Sequence, residues 1–428
     1  MSESAARTIF HVDVNSAFLS WSALKRLKED PGCVDLRTIP SAVAGDVQTR
    51  HGIITEKSIP AKKYGIHTAE PVVKALQKCP DLVLVPSDFP TYHAYSQQLM
   101  ELLFSYTPLL QQVSIDEAFL DVTDLVSPDD RPAAIALADK IREDVRQHLG
   151  FTVNVGVSQN KLLAKMASDF RKPDLTHTLY PDEIQEKMWP LPIGDLYGCG
   201  SATAGRLQSI GIRTIGEAAA ADLLILQSLL GEKAGAYIHE SANGRSHSPV
   251  NPEKEKARSI SNEITLAEDI GPDNYETDGI PVVRALSQKV AQRLQQSGML
   301  AQTVTFQVKT GNFQRYSRQL SLADPTDKAE LIESSALALA QRLLAGPDGL
   351  FPSGMTVRLI GVGVSRLEMP QAQQLDLFTW TREHQALQKQ EQEERLRKEK
   401  TEKLDAMLDS VSTRFGKGKL QKGPGGLL

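Results

Sequence analysis

Apolar and polar positions change period repeatedly along the first part of the chain. Residues 8–12 form a short β-rich run that stops at Asp13, and apolar residues then recur at helical spacing over residues 15–27. A strand that ends at an acid and leads into a helix directs that acid out of the end of the sheet. Changes of this kind continue to about residue 186, and they predict an α+β domain over residues 7–186.

The pattern changes after this domain. Glycines separate short apolar runs over residues 187–250, which predicts a small all-helical domain. Residues 251–258 are polar and charged, as expected of a linker, and strand–helix alternation returns over residues 259–368. The remainder, residues 369–428, is rich in charged residues, Gln and Gly, and its last part is predicted to be disordered. The fold class predicted is therefore α+β, with several domains.

Composition narrows the class of protein only slightly. The chain has 428 residues, 41 % of them hydrophobic, and a formal net charge of -5. This balance argues against a protein that coats nucleic acid by bulk charge, but a local basic groove remains compatible with it. The three cysteines are far apart, and no apolar run is long enough for a membrane span. These features predict a cytoplasmic protein with free thiols.

Three carboxylates are the candidate chemistry. Asp13 closes the first predicted strand, and Asp116 and Glu117 fall in the middle of a second one, residues 112–122. A charged pair in an apolar strand costs free energy unless it is compensated, and a divalent cation is a usual compensation. A structural explanation is also open: Asp13 could cap the following helix, and Asp116 and Glu117 could lie at a hairpin turn.

The sequence around these carboxylates resembles the Y-family of DNA polymerases. The first matching motif reads HVDVN, the central one SIDEAFLD, and the third SQNKLLAKMASD. They lie at residues 11–15 with Phe18, at residues 114–121, and at residues 158–169 followed by Lys172 and Pro173. The resemblance extends in order over about residues 7–378, and the combination is far more specific than any one motif.

This resemblance implies a right-hand polymerase architecture. Residues 7–186 would form the palm and fingers, with the fingers at about 36–90. Residues 187–250 would form a thumb with a helix–hairpin–helix, and residues 259–368 a little finger. The implied activity is template-directed DNA synthesis on primer-template DNA with dNTPs. It would be distributive, of low fidelity and without proofreading, and it would serve lesion bypass.

The resemblance also implies the roles of individual residues near the carboxylates. Two Mg²⁺ ions would be held by Asp13, Asp116, Glu117 and the backbone carbonyl of Val14, and such ions can activate the attacking hydroxyl and stabilise the leaving oxygen. Phe18 would be the steric gate that excludes a ribose 2′-hydroxyl. A core aromatic at helical spacing is the simpler explanation of Phe18.

Nucleotide binding is implied for Ala17, Lys62 and Lys172. Many relatives carry a tyrosine and an arginine where this chain has Ile59 and Lys62. Lysine keeps the charge but loses the two-pronged hydrogen bonding of arginine, and isoleucine donates no hydrogen bond. Two further lysines of this segment, Lys57 and Lys63, could compensate, or all these lysines could belong to a solvated face.

DNA binding is implied for two regions. In the thumb, Gly198 and Gly200 would let backbone N–H groups approach phosphates, although Tyr197 stands where relatives usually have proline. A plain helical hairpin is the alternative. In the little finger, the candidates are Lys309, Arg315 and Arg318 on a predicted strand hairpin.

A short peptide after the folded part resembles a motif that binds the bacterial sliding clamp. It consists of Gln374, Leu375, Asp376, Leu377 and Phe378. Apolar side chains on an extended, exposed segment need a partner's pocket, although five residues can also match by chance. The expected protein is a monomer that binds this clamp.

Two other classes of function remain open on the sequence alone. A non-catalytic relative could act as an adaptor bound to DNA and the clamp, but such a protein would be expected to lack the metal carboxylates. A palm-like enzyme making cyclic nucleotides or dinucleotides would explain the carboxylates. It would not explain the helical hairpin, the second sheet domain and the clamp peptide together.

Overall fold

A computed structural model of the chain describes residues 6–46, 52–253 and 256–370. The predicted clamp peptide, residues 374–378, and the rest of the tail lie outside the described residues. Among the helices that are described, none is long and apolar enough to cross a membrane.

The first domain combines a palm sheet and a smaller fingers sheet. Its elements are β1 (Ile9–Val14), α1 (Ala17–Glu29), β2 (Ser41–Ala44), β3 (Ile54–Lys57), α2 (Ile59–Lys62), α3 (Val72–Lys78), β4 (Val83–Val85), α4 (Phe89–Phe104), β5 (Leu110–Gln112), β6 (Glu117–Asp121), α5 (Arg131–Leu149), β7 (Val153–Ser158), α6 (Lys161–Ser168), β8 (Thr176–Thr178) and α7 (Ile184–Lys187). The palm sheet has the strand order β5-β6-β1-β7-β8, and the fingers sheet the order β3-β2-β4.

The central strand β1 divides the palm into two faces. Side chains alternate along a strand, so Phe10, Val12 and Val14 share one face, where they pack into the core with residues of α1, α4 and α5. His11 and Asp13 lie on the other face, towards α6. The face that carries His11 and Asp13 is therefore the one that only α6, among the described helices, packs against closely.

Helix α6 can approach the sheet because β7 carries a glycine at the contact. A Cβ atom on Gly156 would lie 2.0 Å from the carbonyl oxygen of Ala164, a distance that no side chain can tolerate. The absence of a side chain at Gly156 thus lets the backbone of α6 lie directly on the strand next to β1.

The thumb is helical, as predicted. Its helices are α8 (Ser201–Ser209), α9 (Ile215–Ala220), α10 (Leu223–Leu230) and α11 (Glu232–Ala242). Its apolar core includes Leu207 and Ile238, and it continues into Leu162, Leu163 and Met166 of α6. Helix α6 therefore belongs to the cores of both the palm and the thumb.

The C-terminal domain is an antiparallel sheet covered by two helices. Its elements are β9 (Ser259–Ile270), α12 (Ile280–Gln296), β10 (Leu300–Thr310), β11 (Arg315–Thr326), α13 (Ala329–Leu344) and β12 (Val357–Glu368). The strand order is β11-β10-β12-β9, and both helices pack on one face. The predicted strand–helix alternation over residues 259–368 is confirmed.

The expected position of Asp116 and Glu117 in the middle of one strand is wrong. Strand β5 ends at Gln112 and β6 begins at Glu117, so Asp116 lies in the connecting turn. The Ser114 hydroxyl accepts from the N–H of Asp116 at 3.3 Å and donates to its carboxylate at 2.6 Å, which is typical turn chemistry for serine. The hairpin explanation is correct for Asp116, whereas Glu117 is the first residue of β6.

The capping explanation of Asp13 is wrong. Asp13 lies inside β1, and the residue that precedes α1 is Ser16, in a left-handed conformation and with no side-chain hydrogen bond to the helix. The side chain of Asp13 therefore does not cap α1, and it lies on the face of the sheet towards α6.

Candidate active site

Two of the three predicted carboxylates are neighbours across the palm sheet. Asp13 on β1 lies directly opposite Glu117 on β6, and residues in this arrangement share a face of the sheet. Asp13 is buried. Burial raises the pKa of Glu117, and the nearby carboxylate of Asp13 raises it further, against the opposing effect of Lys165. Two carboxylates that are neighbours across a sheet need a compensating positive charge.

Lys165 of α6 supplies much of that charge. Its Nζ lies 2.8 Å from Glu117 Oε1, 3.5 Å from Asp13 Oδ2 and 3.2 Å from Asp169 Oδ2. Burial opposes its charge, but the three carboxylates outweigh burial and raise the pKa of Lys165. The sequence analysis did not select Lys165. The available signal was a lysine between apolar positions of a short helix whose other residues are mostly buried.

Lys172 contacts the same acids from the segment after α6. Its Nζ lies 2.8 Å from Asp13 Oδ1 and 2.9 Å from Asp169 Oδ1. Burial lowers the pKa of Lys172, but the negative charges around it, that of Asp13 first, outweigh burial, so the pKa is raised. The residue predicted to bind the triphosphate is thus paired with a predicted metal ligand.

Two asparagines hold the segment that carries Lys172. The Asn154 amide donates to the carbonyl of Ser168 at 3.1 Å and to that of Arg171 at 2.7 Å. Its oxygen accepts from the amide of Asn15 at 3.1 Å, and the Asn15 oxygen accepts from the N–H of Asp174 at 2.9 Å. Asn154 was also not predicted, because its role depends on contacts that no sequence spacing reveals.

His11 lies beneath Glu117 on the same strand face as Asp13. The Ser168 hydroxyl donates to the carbonyl of Lys165, so it accepts from His11 Nδ1–H at 2.8 Å. The other nitrogen, Nε2, therefore carries a lone pair, and it lies 3.9 Å from Glu117 Oε2. Burial, with the charges of Lys165 and Lys172, lowers the pKa of His11 well below its usual value. Its Nε2 is buried and has no hydrogen-bond partner among the described residues.

Asp116 faces a cleft between the palm and the fingers. Its backbone carbonyl accepts from the N–H of Val14 at 3.1 Å, which fixes the turn against β1. The cleft has a volume of about 340 Å³. Its lining comprises Asp13, Val14, Asn15, Ser16, Asp116, Lys172 and Pro173 from the palm, and Glu56, Lys57, Ile59, Lys62 and Thr68 from the fingers.

The donor set fits a divalent metal in its chemistry. Carboxylates and a backbone carbonyl are the hard oxygen ligands that Mg²⁺ prefers. In the described part of the chain, no three acidic, histidine or cysteine side chains converge closely enough to hold one ion. The carboxylates of Asp13 and Glu117 are instead neutralised by Lys165 and Lys172. These carboxylates therefore need positive charge beside them even without metal, at the position where the resemblance to Y-family polymerases implies Mg²⁺.

Phe18 lies in the first turn of α1, immediately after the buried Ala17. Its ring stacks on that of Tyr92, with 4.5 Å between ring centroids and an angle of 14° between planes. The Tyr92 hydroxyl is in turn 2.9 Å from the hydroxyl of Ser22. Phe18 is thus held rigidly by core aromatics.

The two thumb glycines differ in what the fold requires of them. Gly198 has a φ of 84°, and a Cβ there would lie 2.5 Å from the hydroxyl of Tyr237, so only glycine fits. That hydroxyl donates to the carbonyl of Tyr197 at 3.1 Å. Gly200 precedes α8 in open space, and packing places no demand on it.

The three basic candidates in the little finger do not share a surface. Lys309 and Arg315 lie opposite each other on β10 and β11, so both face the same side. Arg318 lies opposite the buried Phe306 and therefore points to the side that the helices cover. The hairpin also exposes Phe313, whose ring contacts Lys309 Nζ at 4.7 Å from the ring centroid. Phe313 was not predicted.

Comparison with known proteins agrees with this architecture. The impB/mucB/samB family matches residues 12–169, its C-terminal domain matches residues 257–377, and the IMS family HHH motif matches residues 181–212. DNA polymerase IV of Clostridium acetobutylicum is 37 % identical over 417 residues, with 96 % of each chain covered. DNA polymerase IV 1 of Bacillus subtilis (strain 168) is 34 % identical over 421 residues, which cover 98 % of this chain and 93 % of that one.

A solved structure matches the fold. The Y-family DNA polymerase chimera Dbh-Dpo4(243-245)-Dbh superposes with a TM-score of 0.73 at 24 % identity, covering 85 % of this chain and all of the chimera. The family matches and the identity to these relatives show that the chain belongs to the impB/mucB/samB family, together with DNA polymerase IV enzymes. Its fold is that of the Y-family DNA polymerases.

The predicted class of function is confirmed at this level. The chain is a DNA-directed DNA polymerase of the translesion type, which acts on primer-template DNA and dNTPs with a divalent metal. The adaptor and the cyclic-nucleotide enzyme are accordingly set aside.

Lys165→Met should test the charge balance of the site. We expect it to lower the free energy of unfolding by about 3 kcal/mol at neutral pH, because it leaves the partly buried carboxylate of Glu117 without its lysine partner, while Asp13 keeps Lys172. The loss should shrink as the pH falls towards the raised pKa of Glu117, since the protonated acid needs no partner. Urea denaturation in a metal-free buffer at several pH values measures both effects.

The matched control is Lys187→Met, which removes an ion pair with Glu183 made by a lysine that is 36 % exposed, compared with 11 % for Lys165. This change should cost about 1 kcal/mol. If the two variants lose the same stability, Lys165 does not have the role described.

Proposed function

We propose that this chain extends a primer 3′ end at the cleft between palm and fingers, with Asp13, Asp116 and Glu117 as its metal-binding residues. The observation that carries the proposal is the convergence of the β1 end, the β5–β6 turn and the segment after α6 at one cleft. Its palm side carries Asp13 and Asp116 beside Lys172, and its finger side carries Lys57 and Lys62 beside Glu56.

The metal-binding residues would be the three carboxylates and the carbonyl of Val14, and two Mg²⁺ ions are the expected occupants. When bound, Mg²⁺ lowers the pKa of the attacking hydroxyl and stabilises charge on the leaving oxygen. The protein's own contribution is to fix Asp13 and Glu117 in register and to tie Asp116 to Val14. Lys165 keeps this arrangement stable when no ligand is present.

The incoming nucleotide is placed by its phosphates and its sugar. Lys62 and Lys172 line the cleft and are suited to bind the phosphates. Ala17 and Phe18 open α1 beside it, and the stacked ring of Phe18 is the proposed barrier to a ribose 2′-hydroxyl. A barrier of this kind must be rigid, and the packing of Phe18 on Tyr92 supports that requirement.

Duplex DNA would be bound without regard to sequence. The proposed phosphate contacts are the backbone of Gly198 and Gly200 and the side chains of Lys309 and Arg315. Arg318 would reach DNA only along the sheet edge.

We further propose a monomer that works in the cytoplasm and that binds the bacterial sliding clamp through residues 374–378.

Asp116→Ala and Glu117→Ala should each abolish primer extension in Mg²⁺ while the affinity for primer-template DNA persists. Each removes a proposed metal ligand and leaves the DNA-binding domains unchanged. Gel-based extension and fluorescence anisotropy with labelled DNA measure the two properties. Glu186→Ala, at an exposed position of α7, is the control and should behave as wild type. Normal extension by either active-site variant would disprove the assignment.

Phe18→Ala should raise incorporation of ribonucleotides relative to deoxyribonucleotides by at least about tenfold, because an overpacked contact typically costs 1–3 kcal/mol. Phe89→Ala is the matched control. Phe89 packs edge-on against the Phe18 ring but is itself 54 % exposed. An unchanged ratio for Phe18→Ala, or an equal change for both variants, would reject the gate.

Deletion of residues 374–378 should remove the stimulation of DNA synthesis by the sliding clamp and leave distributive synthesis intact. Deletion of residues 416–420 shortens the chain equally and should change neither property. Product lengths per binding event, with and without the loaded clamp, measure the effect. Full clamp stimulation after the first deletion would refute the peptide's role.

A further inference from the structure

The finger wall of the cleft contains Lys57, which the sequence offered only as one of two lysines that could compensate for Ile59 and Lys62. Lys57 ends β3, and its side chain is only 13 % exposed. Its Nζ donates to the hydroxyl of Thr68 at 2.9 Å, and both residues line the cleft. A half-buried ammonium group thus points into the space between the fingers and the palm carboxylates.

The local partners of Lys57 compensate its charge poorly. Among the described residues, the ammonium group donates to no carboxylate, and the nearest acidic oxygen is Glu56 Oε1 at 4.0 Å. Burial lowers the pKa of Lys57; the charge of Glu56 opposes this, the charge of Lys62 adds to it, and Glu70 opposes it, with a net lowering. A partly desolvated cation that is bound only to a hydroxyl costs free energy, and an anion in the cleft would recover it.

The neighbouring lysine Lys63 does not share this position. It is exposed and is not among the residues that line the cleft, whereas Lys57, Lys62 and Lys172 all line it. Ile59 lines the same wall and is 41 % exposed, but it has no polar atom to offer. Among the described residues of the finger side, the charged groups that could bind an anion are therefore ammonium groups.

We propose that Lys57 is a nucleotide-binding residue of this chain. Its ammonium group would turn away from the Thr68 hydroxyl and, together with Lys62, bind the terminal phosphates of the incoming dNTP. The proposal rests on the proposed function, which puts the triphosphate in this cleft. A lysine has three donors on a flexible stem, so its ammonium group can turn from a hydroxyl to a phosphate oxygen. Two point charges on the finger wall then replace the planar two-pronged group that an arginine would provide.

Glu56 is the one acid on this wall, and its position is compatible with the proposal. Its Oε1 accepts from the backbone N–H of Lys57 at 2.9 Å and lies 4.0 Å from the Lys57 ammonium group. The backbone bond remains when the Lys57 side chain turns to a phosphate. Glu56 therefore keeps a partner, and the finger wall keeps a net positive charge.

The test is steady-state insertion of one nucleotide into primer-template DNA by the full chain. Lys57→Met should raise KM for dNTP by about tenfold or more, the factor expected for a hydrogen bond to a charged group, with a smaller change in kcat. Lys63→Met makes the same change in charge and volume next to α2, outside the cleft, and should leave KM unchanged.

A second probe separates phosphate binding from a structural effect. Inorganic tripolyphosphate should inhibit the wild type and Lys63→Met equally, and its Ki should rise in Lys57→Met by about the same factor as KM. The Kd for primer-template DNA and the melting temperature should not change. A wild-type KM in Lys57→Met, or a raised KM with an unchanged Ki, overturns the proposal.

Failure of the role proposed for Lys57 can be told apart from failure of the proposed function. If Glu117→Ala is inactive and Lys57→Met has wild-type kinetics, only the role of Lys57 fails. If Glu117→Ala extends primers normally, the proposed site itself fails.

Discussion

The pairing of Lys165 with Asp13 and Glu117 is the interaction on which this active site depends. The two carboxylates come from adjacent strands whose register makes them neighbours, and the lysine comes from the helix that lies on Gly156. Without the cation, the register would hold the negative charge of Glu117 next to the buried negative charge of Asp13. With it, the polar face of the palm is stable before any ligand arrives, and Asp116 completes the acidic edge from a turn.

Most of the architecture could be predicted from the spacing of hydrophobic residues, because long helices such as α5 and α12 keep the helical spacing along their whole length. Prediction was wrong where local hydrogen bonds override the pattern. The alternation over residues 112–122 continues through a turn that Ser114 stabilises. Motif resemblance identified the carboxylates. It did not identify Lys165 or Asn154, because their roles depend on burial and on contacts between elements that are distant in sequence.

The cleft differs in charge between its two sides. Asp13 and Asp116 outnumber Lys172 on the palm wall, while Lys57 and Lys62 outnumber Glu56 on the finger wall. A nucleotide triphosphate with its metal ions is itself a dipolar ligand, so such a cleft would orient it as well as bind it. Because Ile59 offers no hydrogen bond, the finger wall relies on charge, and charge–charge attraction between exposed groups weakens with salt.

Helix α6 links this site to the thumb. One side of the helix carries Lys165 to the carboxylates, and the other contributes Leu162, Leu163 and Met166 to the thumb core. Loosening of that core by heat or by a distant substitution would shift the helix and with it the lysine. In a genetic screen, temperature-sensitive alleles that map to the thumb should therefore have the phenotype of active-site alleles.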